Sequence, residues 1–235
     1  MTEVKESKLE NPEKEDFRIR VAKEKRERTR QRLLFAALEL FLVSERTKPP
    51  VIEDVILKAG VSRGTFYKYF NSLEEVLTEL GQRMAEEMIS TYERLFSNLE
   101  SSAARVIAGP ILSLTHAGMQ PGSIDFTSKI DFVDYLSRSN RVWGVITGSL
   151  MDAKKEGVLE FNSLSVATDF VIGSSVEGAR RMQHEKSFNK EYMFEICAMV
   201  LKGFGLVGDK AEKAINEAWE QLNDHSSTLN WWRAV

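Results

Sequence analysis

The residues best suited to specific chemistry lie in one segment, residues 51–70, which reads VIEDVILKAGVSRGTFYKYF. The polar side chains at and after the start of its second predicted helix are Ser62, Arg63, Thr65, Tyr67 and Lys68. Arginine can donate two parallel hydrogen bonds to guanine, and the methyl group of threonine can contact the methyl group of thymine. Backbone N–H groups at the start of a helix can also bind a phosphate. These residue types together indicate contact with DNA.

Apolar spacing predicts that the segment forms two short helices joined by a turn. The apolar residues of the first helix are Ile52, Val55, Ile56 and Ala59. Gly60 is suited to the turn, and Ser62 can cap the second helix. Phe66 and Phe70, at i, i+4 spacing, fix that helix to a core. This arrangement is a helix-turn-helix, whose second helix enters the major groove of DNA.

The segment resembles the DNA-binding domain of the TetR family of transcriptional regulators through the run AGVSRGTFYKYF at residues 59–70. The preceding residues 54–55 and the run at residues 74–77 extend the resemblance, which covers about residues 28–80. It implies a head that binds operator DNA and a C-terminal body that dimerises and binds a small ligand. The groove-facing residues it implies are Ser62, Arg63, Thr65 and Lys68, and the phosphate contacts are Thr65, Tyr67 and Tyr69.

Two departures from the family pattern remove expected phosphate contacts. Val51 stands where a threonine often opens the first helix of the motif, and Leu73 stands where a lysine is usual. An N-terminal basic arm can compensate, since arginine-rich arms can enter a minor groove. The arm residues assigned to DNA are Arg18, Arg20, Arg26 and Arg28. The alternatives are that the basic side chains are solvated helix residues and that Tyr67 and Tyr69 belong partly to the core.

Charge is distributed unevenly along the chain, although its net value is only −3. Residues 17–70 carry thirteen Lys and Arg against six Asp and Glu, whereas residues 71–235 carry sixteen against twenty-three. A basic segment next to an acidic remainder suggests a polyanionic partner for the first part. The excess of positive charge therefore falls on the N-terminal arm and the head that contains the helix-turn-helix, mostly in residues 17–50.

Several classes of protein are disfavoured by what the sequence lacks. The single cysteine, Cys197, excludes an internal disulfide framework, and the three scattered histidines show no metal-ligand spacing. No phosphate-binding glycine loop or nucleophile elbow is present, so we expect no enzyme activity, no cofactor and no metal. No apolar run reaches the 18–20 or so residues that span a bilayer. We expect a soluble, cytoplasmic protein without a membrane partner.

The remaining chain shows helical periodicity and no strand pattern, which predicts an all-α fold. The predicted helices after the motif cover residues 73–96, 101–115, 124–136, 140–155, 165–183, 191–206 and 210–222. The predicted domains are a disordered basic arm at 1–27, a helix-turn-helix domain at 28–72, a helical ligand-binding and dimerisation domain at 73–206, and an extension at 207–235. The resemblance implies that residues 165–183 and 191–206 build a four-helix dimer interface.

Large apolar and aromatic residues in the body are candidates to line a ligand cavity, because such cavities are mostly apolar with a few polar groups. The candidates are Phe126, Phe132, Tyr135, Trp143, Ile146 and Phe170, with His116 as a polar anchor. The alternative for each is ordinary helical core, and for His116 a surface or hydrogen-bonded core histidine.

These features favour a homodimeric repressor that binds a palindromic operator and is released by a small hydrophobic or aromatic effector. An activator with the same DNA contacts is one alternative. A DNA-anchored interaction protein that binds no small molecule is another.

Overall fold

The computed structural model describes residues 12–44, 48–120, 140–185 and 187–231. Every regular element in these ranges is helical, which confirms the all-α prediction. The α-helices are α1 (Pro12–Val43), α2 (Ile52–Ala59), α3 (Arg63–Phe66), α4 (Leu73–Phe96), α5 (Ser102–Met119), α6 (Asn140–Lys155), α7 (Leu164–His184), α8 (Lys190–Gly203) and α9 (Asp209–Asp224), and a 3₁₀ helix follows at Ser226–Thr228. None of the described helices is long and apolar enough to span a bilayer.

The chain divides into two compact units, and the boundary lies between Val76 and Leu77, in the first turn of α4. The sequence predicts this boundary four residues earlier, between residues 72 and 73. Unit 1 is residues 1–76 and unit 2 is residues 77–235. The helix predicted at residues 124–136 lies outside the described residues.

Unit 1 is built on one apolar face of α1. The buried residues of this face are Leu33, Leu34, Ala36, Ala37 and Phe41, and those of the two short helices and the turn after them are Val55, Ala59, Phe66 and Phe70. These residues recur at the helical spacing of i, i+3 and i+4, so α1 and α2 can bury them against each other. Val55, Ala59, Phe66 and Phe70 are among the residues that apolar spacing predicts for this core, whereas Ile52 and Ile56 are only half-buried.

The start of α1 differs from the prediction of a disordered arm over residues 1–27, because residues 12–27 are helical. Proline at the first helical position suits a helix start, since its missing N–H has no partner there in any case. The residues that follow are rich in Lys, Arg and Glu, which are good helix formers. The side chains of residues 19–28 are exposed, so this half of α1 is formed by local preference and not by tertiary packing.

Unit 2 is organised around α5, which packs against α6, α7, α8 and α9. Fourteen residues of α5 are buried, including both of its ends, as expected for a helix that is apolar on all faces. Pro110 lies inside α5 and cannot donate the usual hydrogen bond to the carbonyl of Val106. The helix nevertheless continues to Met119.

The segment predicted as an extension at 207–235 is part of unit 2 as far as it is described. The face of α9 that packs into the core contains Ala211, Ala214, Ile215, Ala218, Trp219 and Leu222. Leu229 and Trp231 join the same core. The segment predicted as an extension therefore packs into unit 2 over residues 209–231, because the amphipathic helix expected near residues 210–222 buries its apolar face against α5.

Candidate functional site

The turn of the helix-turn-helix is formed by Gly60 in the left-handed conformation, with φ 62° and ψ 43°. The N–H of Gly60 donates to the carbonyl of Leu57 at 3.2 Å, and the N–H of Val61 donates to the carbonyl of Ile56 at 3.0 Å. This pair of bonds satisfies the last carbonyls of α2. A residue with a Cβ would be strained at this φ, so the glycine predicted for the turn is required there.

Ser62 caps α3 as predicted. Its Oγ accepts a hydrogen bond from the N–H of Thr65 at 3.1 Å and lies 2.9 Å from Oγ1 of Thr65. Phe66 and Phe70 are completely or almost completely buried, so they attach this segment to the core of unit 1. The cap and the two buried aromatic rings hold the backbone of this segment against unit 1.

Four of the six residues expected at DNA are exposed on this segment: Ser62, Arg63, Tyr67 and Lys68. Thr65 and Tyr69 are half-buried, and the hydroxyl of Thr65 is already within hydrogen-bond distance of Ser62. The exposed residues lie within two helical turns of each other, so one short surface presents them together. DNA contact by these six residues stays a prediction.

Arg63 is held by a carboxylate from the preceding helix. Its Nη1 lies 2.8 Å from Oε1 of Glu53, and its guanidinium carbon lies 5.9 Å from the centre of the Tyr67 ring. A side-chain hydrogen bond with Tyr67, followed by the charge of Glu53, raises the pKa of Arg63 above its ordinary value. The cation expected to contact bases is therefore fully charged and already paired.

Some of the positive charge of unit 1 has a structural role that sequence analysis did not predict. Arg32 donates from Nη2 to the carbonyl oxygens of Ala59 and Gly60, which ties α1 to the turn. The guanidinium carbon of Arg30 lies 4.7 Å from the centre of the Phe70 ring. Such roles need tertiary contacts, and the only sequence signal was the proximity of these arginines to the apolar face of α1.

The predicted arm residues Arg20, Arg26 and Arg28 are exposed on α1. The side chain of Arg18 is not among the side chains that the structure describes. Since the apolar core begins at Leu33, these basic side chains belong to a part of α1 that faces solvent on all sides. Their contact with DNA stays a prediction.

The two departures from the family pattern are visible at the helix starts. Val51 precedes α2 and offers no side-chain cap, although its own N–H donates to Oδ2 of Asp54 at 2.9 Å. At the start of α4, Ser72 Oγ accepts from the N–H of Glu75 at 3.2 Å, and Leu73 is half-buried. Neither Val51 nor Leu73 can donate a side-chain hydrogen bond to a phosphate.

Unit 2 contains a cavity of about 260 Å³ bounded by α4, α5, α6 and α7. Its apolar wall includes Met84, Ala85, Met88, Ile89, Val106, Gly109, Pro110, Leu112, Ala117, Val142, Val145, Ile146, Val171, Ile172, Val176, Ala179 and Trp231. Arg141 of α6 forms ion pairs with Glu86 and Glu93 of α4, which join two of these walls. The described walls are mostly aliphatic.

The hydroxyl groups of this cavity are engaged within the protein. The Tyr92 hydroxyl donates to the carbonyl of Arg105 at 2.8 Å and lies 3.2 Å from Ser149 Oγ. Burial raises the pKa of Tyr92, so the phenol is protonated. Ser113 and Ser175 donate to carbonyl oxygens of their own helices at 3.1 and 2.8 Å.

His116 lines the cavity near the end of α5. Its ring meets Trp231 edge to face, with the two ring centres 5.0 Å apart. Burial lowers the pKa of His116 below its ordinary value, so the ring is neutral near pH 7. Among the described residues the imidazole has no hydrogen-bond partner.

The cavity includes two of the seven predicted lining residues, His116 and Ile146. Trp143 and Phe170 lie outside its wall, and Phe170 instead contacts Phe204 edge to face at 5.8 Å. Phe126, Phe132 and Tyr135 lie outside the described residues. Trp143 is half-buried and Phe170 is 43% exposed, so neither ring borders the described cavity. The assignment of the predicted residues to a ligand pocket stays a prediction.

A second surface of unit 2 exposes apolar side chains on α7, on α8 and just after α8. Its members are Val166, Phe170, Met199 and Val207, and we call it the apolar patch. The two helices are those that sequence analysis assigned to dimerisation. That assignment stays a prediction.

Within the described residues, no group of three or more His, Cys, Asp or Glu could hold a metal ion. Cys197 is completely buried, and burial raises its pKa to about 12. Its thiol is therefore unreactive at ordinary pH.

The sequence matches no protein-family model. It is 25% identical over 133 residues to the HTH-type transcriptional regulator EthR of Mycolicibacterium smegmatis. The aligned region covers 54% of this chain. The match spans only 61% of the length of that relative.

Solved structures with a similar fold are more complete matches. RolR in complex with the ligand resorcinol has a TM-score of 0.63 at 20% identity, covering 83% of this chain and 95% of its own. A TetR-family transcriptional regulator from Syntrophomonas wolfei has a TM-score of 0.56 at 21% identity, with coverages of 76% and 94%. A gamma-butyrolactone receptor, an ArpA-like protein, has a TM-score of 0.54 at 15% identity, with coverages of 85% and 98%.

Proposed function

Because this chain has the fold of TetR-family transcriptional regulators, we propose that it is a DNA-binding regulator controlled by a small molecule. The observation that carries the proposal is the exposed polar surface of the helix-turn-helix, formed by Ser62, Arg63, Tyr67 and Lys68. The sequence relationship to the regulator EthR supports the same function.

In the proposed DNA contact, α3 and the turn after it lie in the major groove. Arg63 and Lys68 are the base- and phosphate-contacting cations, and the Ser62 cap leaves the first N–H groups of α3 available to a phosphate. The phosphates of the DNA backbone also receive hydrogen bonds from the hydroxyl groups of Thr65, Tyr67 and Tyr69. Phosphate contacts position the head, and base contacts provide sequence preference.

The N-terminal half of α1 is proposed to add non-specific affinity through Arg20, Arg26 and Arg28. Each phosphate that a basic side chain neutralises makes the slope of log affinity against log salt steeper by about 0.9. Deleting residues 1–27 should therefore lower affinity for all sequences and flatten this slope. An unchanged slope would remove this half of α1 from the interface.

The proposed active form is a homodimer on a palindromic operator. The apolar patch supports this, since it places Val166, Phe170 and Met199 in solvent on the two helices expected to dimerise. A two-fold dimer of helix-turn-helix heads reads two half-sites about 34–36 Å apart.

The proposed effector is a small hydrophobic or aromatic molecule that binds the cavity of unit 2 and lowers the affinity for DNA. The cavity is the feature that favours a ligand-controlled repressor over an interaction protein without a ligand. The fold neighbour RolR is a structure with bound resorcinol, a small aromatic compound. An effector acts in this way only through different affinities for the DNA-competent and DNA-incompetent states.

Selection from a random duplex library tests the DNA function. We expect an enriched palindrome, and Arg63→Ala should weaken binding to it about tenfold and relax the preference at one base pair. Lys213→Ala, which removes an exposed cation of α9 in unit 2, away from the cavity wall and the two helices expected to dimerise, is the control and should bind as the parent does. No enrichment, or equal loss in both variants, would contradict the proposal.

A further inference from the structure

The cavity of unit 2 contains very few groups that could recognise a ligand by charge. Arg105 is engaged, because its Nη1 donates to the carbonyl oxygens of Leu99 and Glu100 and its Nη2 lies 3.6 Å from Glu156. Arg180 is exposed and paired with Glu177 at 3.0 Å. Neither cation of the described wall is therefore unpaired and able to compensate the desolvation of an anionic ligand.

Glu87 is the remaining charged residue of the described wall, and its side chain is exposed to solvent. A cation inside the cavity would have to lose its hydration shell while the only carboxylate of that wall keeps its own water. Loss of hydration by a charged group is costly without a well-placed partner. The charge distribution therefore favours an uncharged ligand.

The hydrogen-bonding groups of the cavity are similarly limited. The hydroxyl groups of Tyr92, Ser149, Ser113 and Ser175 all have partners within the protein. The imidazole of His116 differs, since within the described part of the chain it makes only a ring contact, with Trp231. His116 is half-buried, so its ring nitrogens are only partly screened from water, and a ligand group that pairs with one of them forms a hydrogen bond that no described residue provides.

We infer that the cavity binds an uncharged, largely apolar molecule with one hydroxyl or carbonyl group, and that this group hydrogen-bonds to His116. The inference rests on the proposed function only in taking this cavity as the effector site. A neutral imidazole has one N–H donor and one acceptor nitrogen, so it can pair with either kind of group.

Trp231 completes the site beside His116. The segment that carries it is tied back to α4, since Arg94 Nη1 donates to Thr228 Oγ1 at 3.0 Å and Gln221 donates to the carbonyl of Leu95 at 2.7 Å. The edge-to-face contact of the two rings orients the imidazole. A ligand paired with His116 therefore also packs against an indole, which suits a flat or aliphatic apolar body.

Calorimetric titration of the full chain with four probes near pH 7.5 tests this inference. The neutral probes are 2-naphthol and 1-octanol, and their charged counterparts are 2-naphthoate and octanoate. We expect at least one neutral probe to bind, and its carboxylate counterpart to bind at least tenfold more weakly. Carboxylates that bind as tightly as the alcohols, or a failure of both alcohols to bind, would overturn the inference.

Variants locate the binding group. His116→Leu should weaken the neutral probe about two- to tenfold, as expected for the loss of one hydrogen bond, whereas His116→Gln should retain most of the affinity. Gly109→Leu, which extends a side chain into the cavity, should abolish binding. Equal affinity in the parent and His116→Leu would overturn the role of His116, and binding that survives Gly109→Leu would overturn the location.

Naphthalene titrated into the unaltered chain provides a test that needs no folded variant. It should bind two- to tenfold more weakly than 2-naphthol, because it lacks the hydroxyl group. Equal affinity of the two compounds would overturn the proposed hydrogen bond to His116. No titration includes DNA. A chain that binds the alcohols but no duplex would contradict the proposed function alone, and a chain that binds a palindrome but only carboxylates would contradict this inference alone.

Discussion

Arg63 and Glu53 form an ion pair of 2.8 Å between α3 and α2, inside the helix-turn-helix. The arginine expected to read bases is thus oriented by an acidic residue in the absence of DNA. Both side chains are more than half exposed, so salt screens the pair. In the proposed complex DNA would have to compete with Glu53 for this guanidinium, and the carboxylate would repel the phosphates.

Replacing Glu53 with glutamine should strengthen DNA binding. The change removes both the competition for Arg63 and a negative charge, and we expect about a two- to fivefold gain in affinity at low salt, which shrinks as salt increases. Fluorescence anisotropy with the selected duplex measures this. Glu39→Gln is the control for removing one negative charge from unit 1, since Glu39 pairs with Lys58 at 3.1 Å and not with Arg63. A loss of affinity in Glu53→Gln would show that the pair serves to position Arg63.

Val51→Thr should stabilise unit 1 and tighten DNA binding. Threonine can cap α2, where Val51 provides no side-chain cap, and such a cap is worth about 1 kcal/mol. Chemical denaturation measures the gain in free energy of unfolding. Val51→Ile, which keeps a branched side chain without the hydroxyl group, should show neither effect.

Gly109→Ala should increase the free energy of unfolding by about 0.5–1 kcal/mol, because alanine is favoured over glycine inside a helix. A Cβ at this position meets no other atom within 4 Å. Denaturation with urea measures the change. Gly118→Ala is the contrasting variant, since its Cβ would lie 3.0 Å from the Cα of Phe188, and it should destabilise the fold. Destabilisation by Gly109→Ala would mean that the cavity wall cannot accept a methyl group.

Met199→Glu should shift the protein from dimer to monomer, because it places a charge in the apolar patch. Light scattering after size-exclusion chromatography measures the mass. Met151→Glu is the matched control, since Met151 is similarly exposed, at 57% against 62% for Met199, but lies on α6. A dimer that persists in Met199→Glu and dissociates in Met151→Glu would place the interface elsewhere.

Stability should fall as the pH drops below about 6.5, the ordinary pKa of histidine, because burial lowers the pKa of His116. The unfolded chain then binds a proton that the folded chain does not, and the loss is complete once the pH is below the pKa of the folded state. His116→Gln should show a smaller drop in melting temperature between about pH 7.5 and 5.5. His184→Gln controls for replacement of an exposed histidine. An equal drop in both variants would contradict the assignment to His116.

The local features of the helix-turn-helix were predictable from the sequence because each is specified by neighbouring residues. Gly60 can adopt a positive φ, and Ser62 can cap only the helix that it precedes. The bounds of α4 and α6 were also predicted. The helical start of α1 was not, since highly charged segments without apolar periodicity occur both as coil and as solvated helix.

The cavity was only partly predictable, because empty space depends on the packing of several helices. Large aromatic residues were expected to line it, whereas small residues such as Gly109 and Ala85 leave the space open. The pair Gly109 and Pro110 inside an apolar helix was the available signal. The contribution of Trp231 had no signal, since it comes from a segment far from α5 in sequence.

Pro110 also allows the opening of the middle of α5 to be followed by hydrogen–deuterium exchange. With no N–H at Pro110, the carbonyl of Val106 lacks its intrahelical donor, so the neighbouring turn opens more easily than the rest of α5. Hydrogen–deuterium exchange across residues 105–115 should therefore be faster than at the buried ends of the helix. A molecule in the cavity would slow this exchange, and mass spectrometry of that peptide would then report occupancy without any label.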